Sequence, residues 1–186
     1  MIKFKKSNIL FEIEESIIII ILSSILSGVI RKYFENYFMC FLFVIFHELS
    51  HIAIANFFYL KPEKIKIKLS GMNAQYSRLD ISKFKKIIIF ISGPIANLLL
   101  AILFNNIKFV FEINIALCLV NLIPIFPLDG FNILKILFNN KVKYIEKSFK
   151  ILIIFMSLYL IYKYNNYSLI ILILYVLTIG INVEKY

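Results

Sequence analysis

His47-Glu48-Leu49-Ser50-His51 lies within an apolar stretch and contains both histidines of the chain. On a helix, residues i and i+4 stand one above the other on a single face. Two imidazoles at that spacing can grip one zinc ion, and the glutamate between them can reach a water at the metal as general base. With two His and nine Glu to place, a shuffled chain contains this pattern roughly once in two thousand orderings, so chance is a poor explanation. Simple packing of these polar groups against one another is the plainer alternative. It leaves three ionisable residues in an apolar segment with nothing to offset their desolvation, whereas a metal supplies a partner.

A catalytic zinc takes three protein ligands and leaves one position to water or substrate. Cys40 and Cys118 lie far apart in separate apolar runs and read as small core residues. A carboxylate is the expected third donor, and the chain has two aspartates. Asp80 sits in a lysine-rich loop beside Ser77, Arg78 and Ser82 and reads as solvated. Asp129 closes the run Asn121-Leu-Ile-Pro124-Ile-Phe-Pro127-Leu-Asp129-Gly130, where two prolines remove helical N–H donors and force irregular backbone. At membrane depth such backbone is tolerated only where protein buries it or it lines a wet cavity. Asp129 is therefore the expected third ligand, with a plain turn aspartate before Gly130 as the alternative. Glu146 would serve in a zincin whose third ligand is a downstream glutamate, but Lys143, Lys147 and Lys150 surround it and it reads as paired.

The elements that must hold these groups are membrane helices. The chain has 186 residues, of which 61% are hydrophobic and 17% charged, and its mean hydropathy is +0.85. A soluble domain cannot expose that much apolar surface. The fold class expected is an all-α polytopic membrane protein of about six transmembrane helices, near 16–30, 37–58, 87–104, 107–126, 149–162 and 167–183. Asn105–Asn106 forms the turn between the third and fourth. Lys64 to Leu69 and Met72 to Tyr76 alternate with period two around Ser70-Gly71, which predicts a small re-entrant or surface β-hairpin after the second helix. The first segment is not read as a signal peptide, because Glu12, Glu14 and Glu15 precede it where positive charge belongs.

With the N-terminus in the cytoplasm, 17 Lys and Arg fall inside and four outside. That bias places both termini in the cytoplasm. His47 then lies about ten residues, or ~15 Å, into an inward-running helix, and Asp129 lies at the cytoplasmic end of another. Both belong to the inner half of the bilayer. The net charge of +10 flanks the hydrophobic spans, so it reads as membrane orientation rather than as a nucleic-acid surface.

His47-Glu48-x-x-His51 in a span, Ser92-Gly93-Pro94-Ile95-Ala96-Asn97 in the next, and Asn121-x-x-Pro124-x-x-Pro127-x-Asp129-Gly130 beyond together resemble the site-2 protease family of intramembrane metalloproteases, peptidase family M50. The resemblance covers about residues 37–135. The six-span outline is similar to the branch that includes stage IV sporulation protein FB. One departure is Leu49-Ser50 where the family commonly has Leu-Gly. Another is that the chain ends at Tyr186 without the nucleotide-sensing domain of some sporulation relatives, which puts regulation by ATP in doubt.

The resemblance implies one zinc per chain on His47, His51 and Asp129, with Glu48 as base. It also implies that Asn121 positions substrate or stabilises an oxyanion; its chemistry suits an interhelical hydrogen bond equally well. Asn97 and Gly93 suit a polar contact beside the site or close helix packing. In the family the hairpin lies by the active site, where its edge could pair with unwound substrate; a basic surface hairpin on anionic lipid is the alternative. Residues 1–186 are expected to form a single intramembrane metalloprotease domain with a core at about 37–135 and helices five and six at about 149–183. The implied partners are a membrane-protein substrate and the lipid bilayer, with room for membrane regulators. A sigma-factor precursor is the substrate that the sporulation branch implies. The rival function is a non-catalytic membrane metal carrier or chaperone, which has no use for a base between two ligands.

Overall fold

A computed structural model describes residues 2–6, 9–13, 31–68, 71–75, 81–165, 167, 170 and 173–174. They fall into two compact units, Met1–Leu119 and Val120–Tyr186.

In the first unit, strands β1 (Ile2–Lys6) and β2 (Ile9–Ile13) precede helix α1 (Arg31–Phe57); β3 (Lys64–Lys68), β4 (Gly71–Gln75), α2 (Lys83–Leu103) and α3 (Lys108–Asn121) come after it. α1 packs chiefly on α2 and also meets β4. The apolar windows of α1 (Phe38–Phe57) and α2 (Lys83–Leu103) are long enough to cross a bilayer, and only 11% and 33% of them are buried inside the protein. A core helix of a soluble protein would be mostly covered. Here Phe46, Leu49, Leu99, Ile102 and Leu103 lie exposed, and lipid is the medium that can cover them. This is a membrane protein.

The expected hairpin is present, with β3 and β4 antiparallel and Lys68 opposite Gly71. It is half of a larger sheet. The order is β1-β2-β3-β4, with β1–β2 antiparallel and β2–β3 parallel. Residues 2–13 were expected only as a charged flank, and the all-α expectation is corrected to a mostly helical fold with a four-stranded sheet. Ile2–Lys6 and Ile9–Ile13 are five residues each, too short for periodicity to distinguish strand from flank. Long-range pairing decides it: Leu10 N–H donates to the Glu63 carbonyl at 2.8 Å. The carboxylate of Glu12, 1% exposed, meets Lys64 Nζ at 2.6 Å.

The count of six spans is not reached among the described residues. Five helices occur among the described residues, two of them candidate spans. α1 begins at Arg31, upstream of the expected 37. The expected fourth span at 107–126 is the 14-residue α3, only ~21 Å long, because Pro124 lacks an N–H and constrains the residue before it. All of 16–30 and most of 167–183 lie outside the described residues, as does Asp80.

The second unit takes in the last two residues of α3 and irregular backbone at 122–128, and continues into α4 (Asp129–Phe138), a 3-10 turn (Asn139–Lys141) and α5 (Val142–Tyr164). α4 was expected as loop. α5 is longer than the expected 149–162 at both ends, and its first half carries Lys143, Glu146, Lys147 and Lys150. Asn165 closes it in the left-handed conformation, φ 51°.

Candidate metal centre

His47 and His51 stand one turn apart on α1. His47 is 3% exposed and His51 is half-buried. Each ring is held through Nδ1. His51 Nδ1 donates to the Ile89 carbonyl of α2 at 2.7 Å, and Ser92 Oγ donates to the same carbonyl at 2.6 Å. His47 Nδ1 lies 2.5 Å from Asn97 Oδ1. The rings meet edge to face, interplanar angle 83°, and their Nε2 atoms approach to 3.2 Å. With both Nδ1 atoms facing oxygen acceptors, this approach sets two lone pairs side by side, which favours a cation between them.

Gly93 of α2 makes the space. A Cβ built there would lie 2.5 Å from the Nε2 of both histidines, so any side chain at 93 would fill the point on which they converge. Two nitrogens bound at 2.0–2.1 Å to a tetrahedral ion stand about 3.3 Å apart, close to the observed separation. The pair fits zinc.

Asp129 is the first residue of α4, buried at 9% exposure. The amino end of a helix suits a carboxylate, since unpaired N–H groups carry partial positive charge there. Its entry is crowded: a Cβ on Gly130 would come within 2.2 Å of the Leu122 carbonyl oxygen and 2.8 Å of that of Ile123. Residues 122–128 are tied by short-range bonds, among them Leu128 N–H to the Ile125 carbonyl at 2.9 Å. Glu146 of α5, 5% exposed, accepts from Phe126 N–H at 3.4 Å and pairs with Lys150 at 2.7 Å. Glu146 is thus paired as expected, and it braces the run before Asp129.

His47 and His51 bring two ring nitrogens together in the first unit, and Asp129 offers a buried carboxylate in the second. These are the candidate metal donors that residue chemistry and motif order single out. Glu48 follows His47 on α1 and is half-buried, and Asn121 is the half-buried last residue of α3. Asn97 is wholly buried, and its Nδ2 donates to Asn114 Oδ1 at 2.9 Å. Asn114 was missed. A lone amide inside an apolar helix was the available signal, because such groups occur where another helix offers a partner. Ser50, the departure from Leu-Gly, donates to the Phe46 carbonyl of its own helix at 2.8 Å, so the extra hydroxyl is satisfied locally.

The comparisons point the same way. The model of peptidase family M50 matches residues 104–162. A zinc metalloprotease of Methanocaldococcus jannaschii is 30% identical over 126 residues, 60% of this chain and 37% of the relative, so the match spans little more than a third of that protein. The solved structure of the site-2 protease from Methanocaldococcus jannaschii matches 99% of this chain and 94% of its own, with TM-score 0.60 and 26% identity. The chain is thus similar to peptidase family M50 over residues 104–162 and shares its fold with a site-2 protease.

Proposed function

We propose that this protein is an intramembrane zinc endopeptidase that cuts membrane-protein substrates within or near their transmembrane segments. The observation that carries the reading is the approach of the His47 and His51 Nε2 atoms to 3.2 Å, with Glu48 beside His47 on the same helix and the buried Asp129 carboxylate as the proposed third donor. Bound zinc supplies Lewis acidity toward a peptide carbonyl and toward water. Glu48 takes the proton of the attacking water and returns it to the leaving amine. A helical substrate satisfies its own backbone, so it must unwind locally before a carbonyl is accessible. The sheet order favours β4 as the strand that receives it, because β2 already occupies the other side of β3. Asn121, at the end of α3, is proposed to steady the substrate or its oxyanion.

The 17-to-4 distribution of Lys and Arg supports cytoplasmic termini and a site in the inner half of the bilayer. Reporter fusions after Tyr186 and within residues 61–86 should both read cytoplasm, and an external signal from either breaks that topology. A narrower assignment, to the stage IV sporulation protein FB branch with a sigma-factor precursor as substrate, has only the expected six-span outline behind it. Unaltered sporulation and sigma-factor processing in a deletion strain would remove it.

Glu48→Gln separates protease from metal carrier. Glutamine keeps the shape and can hydrogen-bond, but it cannot take a proton at neutral pH. We expect zinc and expression to be retained and cleavage to slow by about 10²- to 10⁴-fold. Cleavage of a membrane substrate at near the wild-type rate would overturn the mechanism.

A further inference from the structure

Asn97 and Asn114 are both wholly buried, and at ordinary precision the two ends of an amide are told apart only by their partners. Here the partners decide. Asn114 meets the Val110 carbonyl at 2.9 Å, and a carbonyl can only accept, so the Asn114 end facing it must be Nδ2. The other end, Oδ1, therefore faces Asn97 and requires a donor, which orients Asn97 with Nδ2 toward Asn114 at 2.9 Å. Asn97 is left presenting Oδ1 to His47 Nδ1. That oxygen can only accept, so the proton of His47 is held on Nδ1 and the lone pair on Nε2, the atom that faces His51. Reversing any one amide would set two acceptors or two donors against each other in a buried site, where unsatisfied polar groups are most costly.

We propose that Asn114 is a positioning residue for the metal site. Through Asn97 it transmits the polarity of one backbone carbonyl on α3 to the tautomer of His47, far earlier in the chain. His51 needs no such relay, because the Ile89 carbonyl holds its Nδ1 directly. The inference rests on the reading of His47 as a ligand through Nε2, and its principal readout is observable without zinc or substrate.

The chain has only two histidines, so ring nitrogen-15 labelling of the full-length protein in detergent reports both. In chelator-treated wild type, at a pH where both rings are neutral, we expect both to carry the proton on Nδ1. Asn114→Leu removes the relay at similar size. It should turn His47 into a mixture of tautomers, leave His51 unchanged, and weaken zinc about 10- to 100-fold in competition with a chelator, the usual effect of losing an outer partner. The proposal fails if His47 in that variant keeps its proton on Nδ1, if both rings change together as in a general loss of structure, or if zinc affinity is unaltered. Wild-type His47 protonated on Nε2 would overturn it with no variant, which keeps the test decisive should Asn114→Leu not fold. A tautomer as expected alongside full cleavage by Glu48→Gln would instead leave this inference standing and remove the protease mechanism.

Discussion

His47 and His51 sit within a 27-residue helix, whereas Asp129 is the first residue of a 10-residue helix that succeeds irregular backbone at 122–128. Helix spacing alone puts the histidines on one face, and the neighbouring helix need only fix ring orientation and leave room. It does so with Ile89, Asn97 and Gly93. The aspartate has no repeating geometry to rely on. Its position depends on how a proline-interrupted run is anchored, through Gly130 below and Glu146 beside it. One region is secured by the helix itself and needs its ring nitrogens directed; the other has favourable local electrostatics and needs its backbone secured.

The largest expected effects come from adding one methyl group to each region. Gly93→Ala places a carbon where the two Nε2 atoms converge. Zinc in the purified protein should fall to background while the helices and expression level persist, as read by metal analysis and circular dichroism. Gly130→Ala instead drives its carbon into backbone carbonyls. It should act on folding first, at the upper end of the ~1–3 kcal/mol usual for overpacking. If both variants lost zinc with unchanged thermal stability, the contrast between the two regions would be wrong.

A somewhat smaller effect is expected at the brace. Lys150→Met leaves the buried carboxylate of Glu146 without its 2.7 Å partner. Stranding a charge in this way costs about 3 kcal/mol or more when burial is deep. Lys150 is partly exposed, which places the loss near or below that figure. Glu146→Gln can still accept from Phe126 N–H and should cost less than Lys150→Met. The reverse order in thermal denaturation would show that the pair does not secure the run before Asp129.

Smallest of all should be Ser50→Ala. Its hydroxyl bonds only to the Phe46 carbonyl of the same helix among the contacts observed, so stability and zinc content should stay within about 0.5 kcal/mol and experimental error of wild type. A marked loss of zinc would mean that Ser50 contributes to the histidine region, and that the change from glycine at this position was not local.

Much of the metal centre was legible before any coordinates, because its chemistry is rare and its spacing local. Two histidines four residues apart with a glutamate between them can only face one way on a helix, and two aspartates leave little choice for a third ligand. Hydropathy likewise specified a membrane protein and located α1 and α2 within several residues. Other features depended on contacts distant in sequence. Ile2–Lys6 and Ile9–Ile13 became strands because β3 offered an edge and Lys64 a partner for Glu12, and short apolar runs carry no such information themselves. α3 stopped at Asn121, and α4 formed where loop was expected, because proline ends a helix without dictating the conformation of the residues beyond it. Asn114 reads in sequence as one amide among apolar neighbours. Only the packing of α2 on α3 gives it Asn97, and through Asn97 the ring of His47. Local spacing thus determined which atoms could bind a metal, while the tertiary structure decided how those atoms are oriented, since hydrogen-bond polarity passes between helices and is not recorded along either one.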